Sequence, residues 1–208
     1  MSKKNIIAVL VVCLASCSVE KSEQFSSNLY ESSLSVNEEA KSFGASLNSV
    51  ATTLNNDSVM LNNFLYNDYQ VETRGGVAIN ANLENQAKRL ISGLVFQSDS
   101  FLRSLNLSDV NKLSDSEKVE VALLLYAEYM TDYKIYTRGG KITGNHYVEC
   151  ALSALGITDI SQIASDGLIK YAKRVGAKTF LKTAAKFAGK TVSWVGWGLV
   201  VYDFMTCL

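Results

Sequence analysis

The chain has 208 residues, 20 basic and 20 acidic, with one histidine and no proline. That length holds one domain or two small ones, and the missing proline favours helix over a loop-rich all-β domain. A single histidine, His146, excludes a histidine-based metal cluster and leaves a Ser/His/Asp arrangement one candidate base. No Gly-rich phosphate loop follows a strand pattern, and no carboxylates pair at a meaningful spacing. The sequence therefore predicts a non-enzymatic protein with no catalytic residue, cofactor or metal ligand.

At the start, Lys3 and Lys4 precede an apolar run from Ile6 to Leu14, which leads into Ala15-Ser16-Cys17. A charged region, a short apolar region and a small-residue cleavage site make a signal peptide over residues 1–16, and the run is too short to span a bilayer. Leu14-Ala15-Ser16-Cys17 resembles the bacterial lipobox, which implies acylation at Cys17. Ser18, where an inner-membrane retention signal would carry aspartate, implies by the same resemblance an exported outer-membrane or cell-surface lipoprotein.

Residues 17–37, rich in Ser, Glu and Asn, read as a flexible tether. Residues 38–140 read as an acidic helical region. Ala40, Phe43, Leu47, Val50, Ala51, Leu54, Leu61 and Leu65 stand mostly at helical spacing, interrupted at Asn55-Asn56-Asp57-Ser58. A second helix is predicted over Leu83 to Leu105. A third opens at Ser114, which matches a capping box with Glu117, and ends near Gly139. Its Tyr126, Tyr129 and Tyr133 lie at helical spacing and are expected to pack rather than bind a ligand.

A short passage occurs twice: Asp68-Tyr69-Gln70-Val71-Glu72-Thr73-Arg74-Gly75-Gly76 returns as Asp132-Tyr133-Lys134-Ile135-Tyr136-Thr137-Arg138-Gly139-Gly140, with six of nine positions identical. The similarity stops at the second glycine, whereas a duplicated domain would carry it further. Arginine followed by two glycines suits a site that a trypsin-like or clostripain-like protease reads, and also suits a helix end stopped by glycine. The charge balance turns over at the second copy. Residues 18–140 hold ten basic against sixteen acidic side chains, a net of −6; residues 141–208 hold eight against four, a net of +4.

The basic part, 141–208, is expected to open with a short apolar helix over Tyr147 to Leu155 and a turn or two from Ile157 to Ile163. A long amphipathic helix over Leu168 to Lys190 comes next. Lys170, Arg174, Lys178, Lys182, Lys186 and Lys190 recur every fourth residue. A four-residue step drifts by only about 40°, so the cations fan across one side while Phe180, Leu181 and Phe187 collect on the other. Residues 192–202 then carry no charge and include Trp194, Trp197, Gly196 and Gly198. Eleven residues are too few to cross a bilayer as one helix. They suit a membrane interface once exposed and a buried core helix while covered. With Cys13 in the signal peptide and Cys17 lipidated, Cys150 and Cys207 either close one disulfide, the simpler expectation in an oxidising envelope, or stay as separate buried thiols.

The lipobox, the Thr-Arg-Gly-Gly passages and the cationic, Gly/Trp-rich C-terminal part together resemble proteolytically activated bacteriocins of Bacteroidales. The resemblance is one of layout. It implies cleavage after Arg74 and Arg138 by a clostripain-type protease, and release of a fragment from Gly139 to Leu208 holding both cysteines. It also implies action on a target-cell membrane or an anionic surface glycolipid through Lys170, Arg174, Lys178, Lys182, Lys186, Lys190, Trp194 and Trp197, with self-association as a further mode. The supposed leader exceeds a hundred residues, unlike the short leaders cut after a double glycine, which favours activation after export. Nucleic acid is not an expected partner of an exported chain. The alternative expectation is a helical lipoprotein acting as scaffold, adaptor or immunity-type protein. The fold class expected is an all-α helical bundle with an N-terminal tether and a C-terminal amphipathic-plus-hydrophobic helical pair.

Overall fold

The computed structural model describes the backbone of residues 35–73, 80–138, 146–157, 167–184 and 193–208, and their side chains except those of 67–73 and 132–138. The chain divides into two compact units, Met1–Glu38 and Glu39–Leu208. In the first, residues 35–38 are described and are helical. The second is an all-α helical bundle, as the sequence predicts.

Residues 35–56 belong to helix α1, so the last three residues of the expected tether, 35–37, are helical. Asp57 breaks the helix where the Asn55–Ser58 run predicts, and its Oδ1 accepts the Met60 amide at 2.9 Å to start α2, Ser58–Thr73. Helix α3 is Ala81–Ser104, opened by the Asn80 side chain, which accepts the Asn82 amide at 2.9 Å. A short 3-10 turn, Val110–Lys112, precedes α4, Asp115–Arg138. The predicted capping box is present: the Ser114 amide donates to Glu117 Oε2 at 2.8 Å, and the Glu117 amide donates to Ser114 Oγ at 3.4 Å.

Helix α5 spans His146–Leu155. The long amphipathic helix expected over 168–190 is not continuous. Instead α6, Leu168–Val175, and α7, Ala177–Ala184, meet at Gly176, whose φ of 83° lies in the left-handed region. An L side chain is strained there. The Ala177 amide turns away to donate to the Ser108 carbonyl at 3.0 Å, and a Cβ on Gly176 would stand 2.7 Å from Ser108 Oγ. The break thus comes from backbone docking onto another element, which four-residue periodicity does not register. Lys186 and Lys190 lie outside the described residues. The last helix, α8, is Trp194–Cys207.

Two helices occupy the interior. In α4 every residue from Val121 to Ala127 is buried, and in α8 every residue from Val195 to Val201. Seven consecutive buried positions cover the full circumference, so each helix is enclosed on all sides over two turns. Around α4 stand α3, α5, α6 and α7; around α8 stand α2, α3 and α5. An aromatic cluster fixes the far side of α4. Phe43 stacks on Phe101 with ring centroids 5.7 Å apart and meets Tyr126 edge-on at 5.2 Å. Tyr126 is therefore packing, as expected, and burial pushes its hydroxyl up to about 12. Gly198 sets the approach of α8: a Cβ there would stand 2.8 Å from the Phe64 ring.

Candidate functional site: the junction of the acidic and basic parts

A helix leaves its first backbone amides without partners inside the helix. In α8 those amides are satisfied from two sources. Ser193 Oγ accepts the Gly196 amide at 3.0 Å as an ordinary N-cap. Glu84, in the first turn of α3, accepts the Trp194 amide at 2.8 Å and the Val195 amide at 3.3 Å, one on each carboxylate oxygen. The same device recurs at α6. Its N-cap is Gly167, which has no side chain to offer, and Glu128 of α4 accepts the Leu168 amide at 2.6 Å and the Ile169 amide at 2.5 Å. Glycine is needed there: φ is 87°, and a Cβ would stand 3.0 Å from the Glu128 carboxylate. At α7 the acceptor is the Ser108 carbonyl already described.

Helices α6, α7 and α8 therefore all have N-terminal amides held by acceptors from residues 84–128, in the acidic part of the sequence. A carboxylate at a helix N-terminus also meets the positive end of the helix dipole. An ion pair also crosses the same junction. Lys178 Nζ lies 2.6 and 2.7 Å from the two oxygens of Glu117. Burial pushes the Glu117 carboxyl up, but the Lys178 ammonium and the Ser114 amide and hydroxyl outweigh it, leaving the group below the usual carboxylate range. One turn along α4, Glu120 has no such cation among the described residues: burial and the neighbouring Glu117 charge push it up to about 7.

The residues expected to act together are distributed as follows. Cys150 and Cys207 form a disulfide, joining α5 to the end of α8. Helix α4 runs to Arg138; the Arg138 side chain, the glycines that follow it, Arg74 and Cys17 lie outside the described residues. Lys170 and Arg174 are exposed on α6, with the Arg174 guanidinium 5.2 Å from the Tyr171 ring centroid, and Lys182 is exposed on α7. Lys178 departs from the expected solvent-facing stripe, because its ammonium is turned to Glu117. Trp194 is half-buried beside the Lys88 ammonium, 5.9 Å from the ring centroid. Trp197 is buried, and its indole Nε1 has no hydrogen-bond partner among the described residues. His146 is exposed at the start of α5, 3.8 Å from Cys150 Sγ.

Sequence reasoning missed Glu84 and Glu128 and saw Glu117 only as a capping residue. Glu128 carried the clearest signal, as one carboxylate inside Leu125-Tyr126-Ala127-Glu128-Tyr129-Met130. A lone charge in such a run needs a partner, and that partner proved to be a helix start. Among the described residues no group of three or more His, Cys, Asp and Glu side chains could hold a metal, and no helix is long and apolar enough to cross a membrane. No protein-family profile, curated protein sequence or solved structure matches the chain.

Proposed function

We propose that the chain is the precursor of an exported antibacterial toxin, lipidated at Cys17 and activated by cleavage after arginine, with Arg138 the decisive site. One observation supports this above the rest. Helix α8, uncharged from Trp194 to Tyr202 and holding both tryptophans of the chain, packs against α5 and against α2 and α3, and the latter two lie on the other side of Arg138 in sequence. A cut after Arg138 severs the covalent link between those two helices and α8. The fragment from Gly139 onward keeps its own crosslink, Cys150–Cys207. It carries the cations Lys170, Arg174, Lys178 and Lys182 on α6 and α7, and in α8 a mostly apolar helix with both indoles in its first turn. Near an anionic surface each such cation contributes about 1 kcal/mol, and tryptophan favours the headgroup level. The proposed targets are the membrane or an anionic glycolipid of competing cells.

The test is dye release from vesicles containing phosphatidylglycerol, before and after an arginine-specific protease acts on the full chain. Release is expected only after cleavage, only from anionic vesicles, and not from the Arg138→Ala variant. Equal release by uncut protein, or none after complete cleavage, overturns the reading. A second reading, a non-enzymatic helical lipoprotein serving as scaffold or immunity-type protein, is favoured by the enclosure of α8 on all sides. On that reading mass analysis of protein from producer membranes and supernatant finds full-length lipidated chain and no fragment beginning at Gly139.

A further inference from the structure

We infer that α2, α3 and α4 form a docking surface for the C-terminal part of this same chain, so that cutting between α4 and α5 yields a held two-chain complex. Glu84, Glu117 and Glu128 form its polar latch. The latch deepens the function proposed above, but the docking itself depends on the interface alone.

Three features of the junction carry the inference. First, the contact surface is continuous and apolar: α8 lies against α2 and α3, and α5, α6 and α7 lie against α4. Trp197, Val201 and Phe204 of α8 are each at most 1 % exposed, and Phe64 and Leu54 close over Gly198. A peptide cut removes none of this. Second, the polar ties are two-pronged. Glu84 and Glu128 each take two amides of a helix start, and Glu117 places both oxygens on Lys178. Amides at a helix start have no partner to replace these carboxylates except water or another anion, and bonds to an ionised acceptor are roughly twice as strong as neutral ones. Third, the described disulfide lies wholly within the C-terminal part and adds nothing across the junction. The two parts are therefore joined by the α4–α5 connection and by reversible contacts.

It follows that cleavage permits release without causing it. Separation is driven by whatever competes for the cations and helix starts that the three glutamates occupy, which places an anionic surface at the releasing step. For the fragment, those glutamates serve as an internal substitute for that surface.

The experiment uses the full chain with a specific protease sequence inserted between Gly139 and Gly144, cut to completion and followed by native mass spectrometry and size-exclusion chromatography. At micromolar concentration and physiological salt the two pieces are expected to stay together. The nicked Glu84→Gln, Glu128→Gln double variant is expected to dissociate at least tenfold more readily, and nicked Glu149→Gln, altered on an exposed residue of α5, no differently from wild type. Circular dichroism of the uncut variants, where the link is intact, shows whether a loss reflects the latch or the fold. If the uncut double variant unfolds, raising the salt on nicked wild type replaces it and must loosen the complex. Pieces that separate on cutting overturn the inference, as does a nicked complex indifferent to both the substitutions and salt. Vesicle release by the same samples separates the two claims: a complex that holds but never releases dye sinks the toxin reading and leaves the latch, whereas prompt separation with release does the reverse.

Discussion

Helices α4 and α8 are buried to the same depth for different reasons. Each is enclosed on all sides over seven residues, Val121 to Ala127 and Val195 to Val201. Yet α4 has 24 residues, begins at its own capping box and reaches well beyond the enclosed turns. Its place follows from its own length and pattern. Helix α8 has 14 residues and, besides its own Ser193 cap, is fixed at both ends by other elements: Glu84 of α3 holds its first amides, and Cys150 of α5 holds Cys207. The lesson is that burial alone does not distinguish the two helices. The origin of the groups that satisfy their ends does.

Substitutions can break that contrast. Trp197→Ala should destabilise the uncut chain by about 3–5 kcal/mol, the usual range for a buried aromatic. Trp197→Phe should cost much less than that, because the indole N–H it removes has no acceptor among the described residues. Urea denaturation of both variants checks this, and a Phe variant as damaged as the Ala variant would mean Nε1 is satisfied after all. Removing the crosslink with paired Cys150→Ser and Cys207→Ser should cost about 4 kcal/mol on the chain-entropy model, given a sequence separation of 57. A loss below about 1 kcal/mol would show that α8 is held by packing alone. Next in size, Glu84→Ala and Glu128→Ala should each cost about 1–3 kcal/mol, since each strips two amides of a charged acceptor. Ser114→Ala, at α4's own cap, should cost about 1 kcal/mol. Thermal melts that reversed this order would remove the distinction between the two helices.

The smallest expected effect concerns Glu120, pushed up to about 7 in the folded chain. Its folded value lies above its ordinary one, so the folded state binds the extra proton and stability falls as pH rises from about 4.5 to about 7. Glu117 and Asp99 have the opposite sign. Arg103 beside Asp99, reinforced by Lys118, holds that carboxyl low, so their contribution is present at neutral pH and lost in acid. The uncut chain should therefore be most stable near pH 5. Glu120→Gln should add on the order of 1 kcal/mol at pH 8 and nothing at pH 5. Equal melting temperatures for the two proteins at both values would place Glu120 in water.

Much of the fold was legible because it is local. The Asp57 break, the Ser114–Glu117 cap and the periodicity of α3 and α4 are settled by residues within a few positions of one another. The Cys150–Cys207 pairing was legible by counting. What the sequence concealed is nonlocal: Gly176 looked like one small residue in a cationic helix, and its role appears only when Ser108 lies against it. Glu84 was equally ordinary, and Glu128, conspicuous as a lone charge, did not reveal its partner, since the groups they satisfy lie 110 and 40 residues away. Periodicity reports which face of a helix is apolar; it carries no information about which distant helix start a glutamate will meet.

The position of the Cys150–Cys207 bond also sorts the backbone into two kinds of peptide link. Between residues 150 and 207 the chain is a closed ring, and one broken link there opens the ring without producing a second molecule. Before residue 150 the chain is a simple path, and any broken link divides it. Both Thr-Arg-Gly-Gly passages lie on the path and neither lies on the ring. A protease that nicks indiscriminately would thus leave the C-terminal piece in one part after a stray cut, while a cut at either passage always yields two pieces. Connectivity alone makes those arginines places where a single event changes the number of molecules.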